Sequence, residues 1–273
     1  MSILAGEKFF LKLLPSDIIA LHEECEDNRY GKLLERFREE NVLYNPLIVA
    51  DLGGKYMLID GANRFEALRQ MECQSILAQV VDYSSPDVIL RSWYHFVNEM
   101  TLGELEEYLN SAGMSYTKCD SARRPENRNS LVVTSTGGGT LYIPLDEDLE
   151  KMLKSLSLLN RFYGSNYSYM RIDSDTDVTD IKSLSADEGL LFIYPDFSKE
   201  DIAAISKLKQ KLPAGISRHL IPNRVLHIKI LIDALKSSEH LEKRNVELQK
   251  YIQFKIDTKK VRLYREPILI FDE

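Results

Sequence analysis

The sequence predicts a mixed α/β protein, with an N-terminal domain over residues 1–98 and a second mixed α/β domain over residues 99–273. Three observations predict this class. Short β-rich runs alternate with amphipathic helical patterns along the chain. A Gly-Gly pair separates two neighbouring β-rich runs, which is typical of a hairpin. Residues that favour helix N-caps precede several of the apolar repeats.

The N-terminal domain is predicted to alternate strands and helices. Tyr30–Glu40 carries apolar residues on one side and charges elsewhere, as an amphipathic helix does. Gly53 and Gly54 adopt positive φ angles at little cost, so they can close a hairpin. The predicted elements are a strand at Leu11–Leu14, the helix at Tyr30–Glu40, hairpin strands at Leu47–Ala50 and Tyr56–Ile59, a helix after Gly61 and a strand at Ile76–Val81.

The second domain is predicted from capping residues and apolar repeats. Thr101 and Glu104 have the spacing of a capping box, and Ser198–Asp201 opens another helix that must end before Pro213. The other predicted elements are a loop at 119–130, a hairpin of Leu131–Thr134 and Leu141–Pro144, a helix capped by Asp146, strands at Tyr167–Ile172 and Leu190–Tyr194, a charged helical extension around 238–256 and a final apolar run.

Composition and charge exclude several classes of protein. No stretch reaches the roughly 18 apolar residues that a membrane helix needs, and the N-terminus lacks a signal-peptide cleavage site, so a cytoplasmic protein is expected. The net charge of −7 argues against avid nucleic-acid binding. Cys25, Cys73 and Cys119 lack the spacing of a metal site or a disulfide framework. The oligomeric state stays open, a homodimer included.

The strand–turn–helix around Asp60–Arg64 gives the strongest chemical signal. The first N–H groups of a helix lack intrahelical partners and lie at the positive end of the dipole, so they suit a phosphate. Gly61 allows close approach of the backbone, and Arg64 supplies a planar donor group. Asp60 can instead cap the helix or contact Mg²⁺, and Arg64 can be an ordinary surface charge.

Two further segments carry ionisable residues. His22 and Glu23 lie at the end of an element, where a carboxylate can act as a general base, although the residues by themselves favour a solvated loop. Ser217, Arg218 and His219 are predicted on a loop, and Arg218 and His219 suit an anionic substrate. GxxxxGK(S/T), GxGxxG, GxSxG and HExxH motifs are absent, which disfavours Walker ATPases, Rossmann dehydrogenases and zincins.

Several segments together resemble a known family. LLPSDIIALHE, NPLIVADLGGKYMLIDGANRFEAL, VVDYSSPDV and RSWYHF, in this order, resemble the ParB/sulfiredoxin-like fold, and within it the free L-serine kinases. The later segment SRHLIP resembles the Ser/Thr-Arg-His-x-x-Pro segment of those kinases, which ParB partition proteins and sulfiredoxins lack. The resemblance therefore implies a ParB/sulfiredoxin-like nucleotide-binding domain and favours the kinase branch.

The resemblance implies an enzyme that phosphorylates free L-serine to O-phospho-L-serine, with ATP or ADP as donor and Mg²⁺ as cofactor. One branch of the family serves siderophore biosynthesis. Glu23 would be the general base, and Asp60 would assist catalysis or position the metal or substrate. The nucleotide would be bound by Gly61, Ala62, Asn63 and Arg64, and serine or the transferred phosphate by Trp93, Ser217, Arg218 and His219.

The chain departs from the family at one position of the turn. The family usually has His where this chain has Asn63, and an amide donates a hydrogen bond but cannot become cationic. The chain also continues for about 50 residues beyond the SRHLIP segment. Two other functions stay open: a ParB-like, nucleotide-dependent DNA-binding regulator, and a kinase for another small hydroxyl compound.

Overall fold

The computed structural model describes residues 2–4, 7–119, 128–176, 188–237 and 239–264. Over these residues the chain forms both helices and strands, which confirms the predicted mixed α/β class. The strands are β1 (Ser2–Leu4), β2 (Glu7–Phe9), β3 (Leu11–Pro15), β4 (Ile19–Leu21), β5 (Val42–Leu43), β6 (Leu47–Asp51), β7 (Tyr56–Asp60), β8 (Ser75–Val81), β9 (Ile89–Asn98), β10 (Thr117–Cys119), β11 (Ser130–Ser135), β12 (Thr140–Pro144), β13 (Tyr169–Asp173), β14 (Gly189–Ile193), β15 (Ser217–Leu220) and β16 (Ile230–Leu231).

The helices include two with capping boxes, of which the one at Thr101 was predicted as such and the one at Ser198 only as a helix start. Thr101 and Ser198 each accept a hydrogen bond from the N–H three residues later, and the side chain there reaches back to the cap. The α-helices are α1 (Asp27–Glu40), α2 (Ala62–Gln70), α3 (Leu102–Ser111), α4 (Leu149–Asn166), α5 (Lys199–Ile205) and α6 (Leu241–Asp257), and short 3-10 helices occupy Ser16–Ile18 and Ile232–Leu235.

The chain divides into two compact units. The first comprises the described residues of 1–20, 26–88 and 221–273, and the second those of 21–25 and 89–220. This division differs from the predicted boundary at residue 98. β9 belongs to the second unit because it pairs with β13, β14 and β15, and the C-terminal segment belongs to the first because α6 packs on β3.

The first unit is built on a five-stranded sheet in the order β3-β8-β6-β7-β4. β6 and β7 form the predicted antiparallel hairpin, while β6 and β8 run parallel. Leu47–Ala50 and Tyr56–Ile59 are buried throughout, which explains why these strands are continuous apolar runs rather than alternating ones. Buried residues thus support β7 up to its end, where the Asp60 turn begins.

The second unit is built on a seven-stranded antiparallel sheet. Its order is β10-β12-β11-β14-β9-β13, and β15 pairs with the first half of β9. One face packs a core of Tyr94, Phe96, Val132, Leu191 and Ile193. β9 therefore connects three separate segments of the chain.

Several sequence predictions need correction or lie beyond what is described. The helix α4 is capped by Asp148, which accepts the Lys151 N–H at 3.0 Å, whereas Asp146 accepts the N–H of Asp148 and is not the cap. The predicted loop at Ser217–His219 is wrong, because these residues form β15. Residues 120–127 of the predicted 119–130 loop and the final apolar run at 268–271 lie outside the described residues.

The helix α6 uses side-chain amides to cover the edge of the first sheet. Among the described strands, β3 is the terminal one of that sheet, so one side of its backbone has no neighbouring strand there. Asn245 accepts the Leu13 N–H through Oδ1 at 2.7 Å and donates Nδ2 to the Leu13 carbonyl at 2.9 Å. One turn later, Gln249 Nε2 donates to the Leu11 carbonyl at 2.7 Å. The two side chains thus provide hydrogen-bond partners that a neighbouring strand would otherwise give to the edge of β3.

We expect Asn245→Ala to lower the free energy of unfolding by about 1–3 kcal/mol, because the buried N–H and carbonyl of Leu13 lose their partners. Denaturant titration of the full chain measures this change. Glu247→Ala is the matched control, since Glu247 is exposed on the same helix and should shift the free energy by less than about 0.5 kcal/mol. Equal effects of the two substitutions would show that the amide contacts do not stabilise the unit.

Candidate active site

The Asp60–Arg64 turn has the backbone geometry that the sequence predicts. β7 ends at Asp60, Gly61 has a φ of +100° and α2 begins at Ala62. A Cβ on Gly61 would lie 2.9 Å from Nη2 of Arg64. The left-handed conformation favours glycine here, and the missing side chain leaves room for the guanidinium that folds over the turn.

The Arg64 guanidinium is bound by oxygens of its own unit. Nη1 donates to the carbonyls of Asn45 at 3.1 Å and Pro46 at 2.8 Å, and Nη2 donates to Asp60 Oδ2 at 2.7 Å. The Arg64 side chain is 22% exposed. These bonds fix the turn. The predicted contact of Arg64 with phosphates would have to use the guanidinium N–H groups that these three bonds leave over.

Asn63 has a second structural contact in the same unit. Its Oδ1 accepts the backbone N–H of Glu26 at 2.9 Å, and Glu26 is the N-cap residue of α1. The first turn of α2 is thereby tied to the start of α1. The amide nitrogen of Asn63 is the group that suits a phosphate oxygen.

Sequence reasoning missed a second guanidinium at this turn. Arg224 Nη1 lies 3.4 Å from Asp60 Oδ2, and the Arg224 side chain is 40% exposed. Asp60 therefore lies between two arginines that are far apart in sequence. The only sequence signal was a basic residue shortly after the SRHLIP segment.

Glu23 lies in the second unit, where two backbone N–H groups hold its carboxylate. The Gly215 N–H donates to Oε2 at 3.2 Å and the Ser217 N–H to Oε1 at 2.5 Å. Leu212 bonds the backbone of the residues on either side, since its N–H donates to the His22 carbonyl and its carbonyl accepts the Glu24 N–H. The carboxylate is thus fixed in position and direction.

The segment predicted to bind an anionic substrate lies beside Glu23. His22 Nε2 and Ser217 Oγ are 2.7 Å apart, and the rings of His22 and His219 meet edge to face with centroids 5.3 Å apart. All three residues are buried. The structure therefore brings together Glu23, Ser217 and His219, which the sequence separates by almost two hundred residues.

Arg218 and Trp93 form a third contact in the second unit. The Arg218 guanidinium lies 4.3 Å from the centroid of the Trp93 ring and is ion-paired with Asp173, which the sequence analysis did not single out. Burial lowers the pKa of Arg218 from its ordinary value. Asp173 is paired with Trp93 in the β13–β9 register, so sheet pairing places it beside Arg218.

A buried hydrogen-bond network that includes His95, Tyr163 and Tyr194 supports the segment that holds Glu23. His95 Nε2 lies 2.9 Å from the Gly215 carbonyl, which can only accept, so Nε2 carries the proton. Nδ1 then accepts the Tyr163 hydroxyl at 2.6 Å, and the Tyr194 hydroxyl bonds that of Tyr163 at 2.6 Å. Burial lowers the pKa of His95 to about 4 and raises the pKa of both tyrosines. The network is therefore neutral.

We expect the free energy of unfolding to fall by about 3 kcal/mol as the pH drops from about 6.5 to 4, because unfolded His95 takes up a proton there and folded His95 does not. Denaturant titrations across this range measure the effect. His95→Gln is the matched control: glutamine can donate to Gly215 and accept from Tyr163, but it does not titrate. Identical pH slopes for both proteins would contradict the assignment.

The described residues contain no group of three or more His, Cys, Asp or Glu side chains placed to hold a metal ion. Asp60 is instead bonded to Arg64 and Arg224. In the part of the chain that is described, no helix combines the length and apolar character required to span a membrane.

Comparisons with curated proteins confirm the resemblance to L-serine kinases. The chain is 24% identical over 221 residues to an ATP-dependent L-serine kinase of Staphylothermus marinus, covering 77% of this chain and 85% of the relative. It is 24% identical over 267 residues to the ATP-dependent L-serine kinase SbnI of Staphylococcus aureus, covering 96% and 97%. The ADP-dependent L-serine kinase SerK of Thermococcus kodakarensis is 21% identical over 207 residues, covering 74% and 83%. No protein-family model matches the chain.

Solved structures share the fold. C-terminally truncated SbnI from Staphylococcus aureus superposes with a TM-score of 0.71 at 23% identity, covering 91% of this chain and 97% of that one. A free serine kinase in complex with AMP gives a TM-score of 0.70 at 18% identity, covering 84% and 95%. This chain therefore has the same fold as SbnI and the free serine kinase.

Proposed function

We propose that this protein transfers a phosphoryl group from ATP or ADP to the hydroxyl of free L-serine, forming O-phospho-L-serine. The observation that carries the proposal is the Glu23 carboxylate, held by the N–H groups of Gly215 and Ser217 beside Ser217 and His219. The named L-serine kinases among the relatives support the same substrate, and they include both ATP- and ADP-dependent enzymes.

Glu23 acts as the general base in this proposal. Each carboxylate oxygen accepts one backbone N–H, and a carboxylate has about four acceptor sites, so Glu23 retains the capacity to accept another proton donor. It takes the proton of the serine hydroxyl while that oxygen bonds the terminal phosphorus. The bond from phosphorus to the bridging oxygen breaks, and ADP leaves from ATP or AMP from ADP.

The nucleotide phosphates bind at the start of α2 in this proposal. The Ala62 and Asn63 backbone lies at the positive end of the helix dipole, Gly61 allows close approach, the Asn63 amide contributes a donor, and Arg64 fixes the turn that presents these groups. Asp60 orients Arg64 through their ion pair. Mg²⁺, if bound with the nucleotide phosphates, would neutralise part of their charge.

Serine binds beside Glu23 in this proposal. The Arg218 guanidinium suits the α-carboxylate because its planar donors match two carboxylate oxygens. Trp93 supports that guanidinium from one face. Ser217 and His219 supply polar groups next to the reacting hydroxyl.

We expect the full chain, incubated with L-serine, Mg²⁺ and either ATP or ADP, to form O-phosphoserine detectable by mass spectrometry. Glu23→Gln should lower kcat by at least about a hundredfold, because a positioned general base contributes a factor of about 10² to 10⁴. Nucleotide affinity should survive in this variant. Glu24→Gln is the matched control, since it removes the neighbouring carboxylate and should leave kcat within twofold.

The same assay separates the other functions. No O-phosphoserine from the wild-type protein with any nucleotide would reject the kinase proposal. Salt-sensitive retention on DNA without product would favour the ParB-like regulator instead. Product from another small hydroxyl compound but not from serine would keep the phosphoryl transfer and replace the acceptor.

We expect Arg218→Gln to raise the KM for L-serine at least tenfold, because the variant loses the cation that pairs with the α-carboxylate. Ethanolamine, which has the hydroxyl and amine but no carboxylate, should be phosphorylated equally poorly by both proteins. Arg91→Gln is the control, since Arg91 is the register partner of Arg218 and is more exposed. A similar loss with both acceptors would remove Arg218 from carboxylate recognition.

A further inference from the structure

The two arginines that contact Asp60 differ in how firmly the protein holds them. Arg64 donates to two backbone carbonyls and to Asp60, and its side chain is 22% exposed. Arg224 meets the same carboxylate at 3.4 Å, and its side chain is 40% exposed. Ion pairs that are open to solvent contribute little to stability, so Arg224 can exchange Asp60 for another anion at little cost. Arg64 would have to give up three hydrogen bonds.

A buried glutamine fixes the backbone on both sides of Arg224. Gln79 in β8 is 2% exposed. Its Nε2 donates to the Asn223 carbonyl at 3.0 Å, and its Oε1 accepts the Val225 N–H at 2.9 Å. Both halves of one amide are thus used on the residues that flank Arg224. Such a clamp holds the Arg224 backbone in place while leaving the guanidinium accessible.

Further contacts connect this segment to the turn itself. Asn45 accepts the His227 N–H through Oδ1 at 2.9 Å, and the carbonyl of the same residue accepts Arg64 Nη1. The segment that carries Arg224 and the guanidinium of Arg64 therefore share a support. This arrangement keeps two cations around the single Asp60 carboxylate, and the excess positive charge favours a phosphate.

We propose that Arg224 is the residue that binds the terminal phosphates of the nucleotide, with Arg64 as a positioning residue that fixes the turn. This inference rests on the proposed function, because it assigns a contact within the nucleotide site of that kinase. Arg224 exchanges its exposed contact with Asp60 for the phosphate oxygens. Arg64 keeps its bonds to the Asn45 and Pro46 carbonyls and to Asp60.

Calorimetric titration of the full chain with adenosine, AMP, ADP and ATP in the presence of Mg²⁺ tests the assignment. We expect Arg224→Gln to weaken binding of ADP and ATP at least tenfold, to weaken AMP less and to leave adenosine unchanged. Arg69→Gln is the matched control, because it removes an exposed cation from α2 and should change no affinity. Arg64→Gln should lower the melting temperature, whereas Arg224→Gln should not.

Three results would overturn the inference. ADP and ATP bound by Arg224→Gln as tightly as by the wild-type protein would exclude Arg224 from the phosphate site. An equal loss for adenosine and ATP would make Arg224 a structural residue. A wild-type protein that binds no nucleotide would overturn the proposed function together with this inference, which distinguishes that failure from the first two.

Discussion

Two backbone N–H groups hold the Glu23 carboxylate, and the first of them, that of Gly215, lies 192 residues further along the chain. The same short segment is bonded on its acceptor side to β9: His95 donates to the Gly215 carbonyl and the Trp93 N–H to the Ile216 carbonyl. The N–H groups of this segment donate to the Glu23 carboxylate, and its carbonyls accept hydrogen bonds from β9. A displacement of β9 would therefore move the carboxylate, which makes the neutral, buried His95 part of the site's support.

Local signals in the sequence were sufficient for much of the fold. The hairpin around Gly53 and Gly54 and the helix that begins at Thr101 depend on residues that are close in sequence, so their patterns were readable. β9 was not assigned as a strand, and the compact units differ from the predicted boundary. β9 pairs with β13, β14 and β15, which lie far along the chain, and a local sequence pattern does not encode such pairing.

The residues of the candidate site likewise include some that the sequence indicated and some that only the structure revealed. The family resemblance selected Glu23, Ser217 and His219, and the structure places them together. It could not select the N–H groups that hold Glu23, because backbone donors have no residue signature. Nor could residue type distinguish Arg64 from Arg224, since the difference lies in which oxygens each guanidinium meets.

The amides that α6 applies to β3 also matter for the behaviour of shortened chains. A protein cut before Leu241 would lose Asn245 and Gln249 and would present the outer backbone of Leu11 and Leu13 to solvent. Uncovered strand edges recruit strands from other molecules, and intermolecular sheets and precipitation follow. We therefore expect α6 to protect the first unit against self-association, so aggregation of a truncated protein would not report on its catalytic competence.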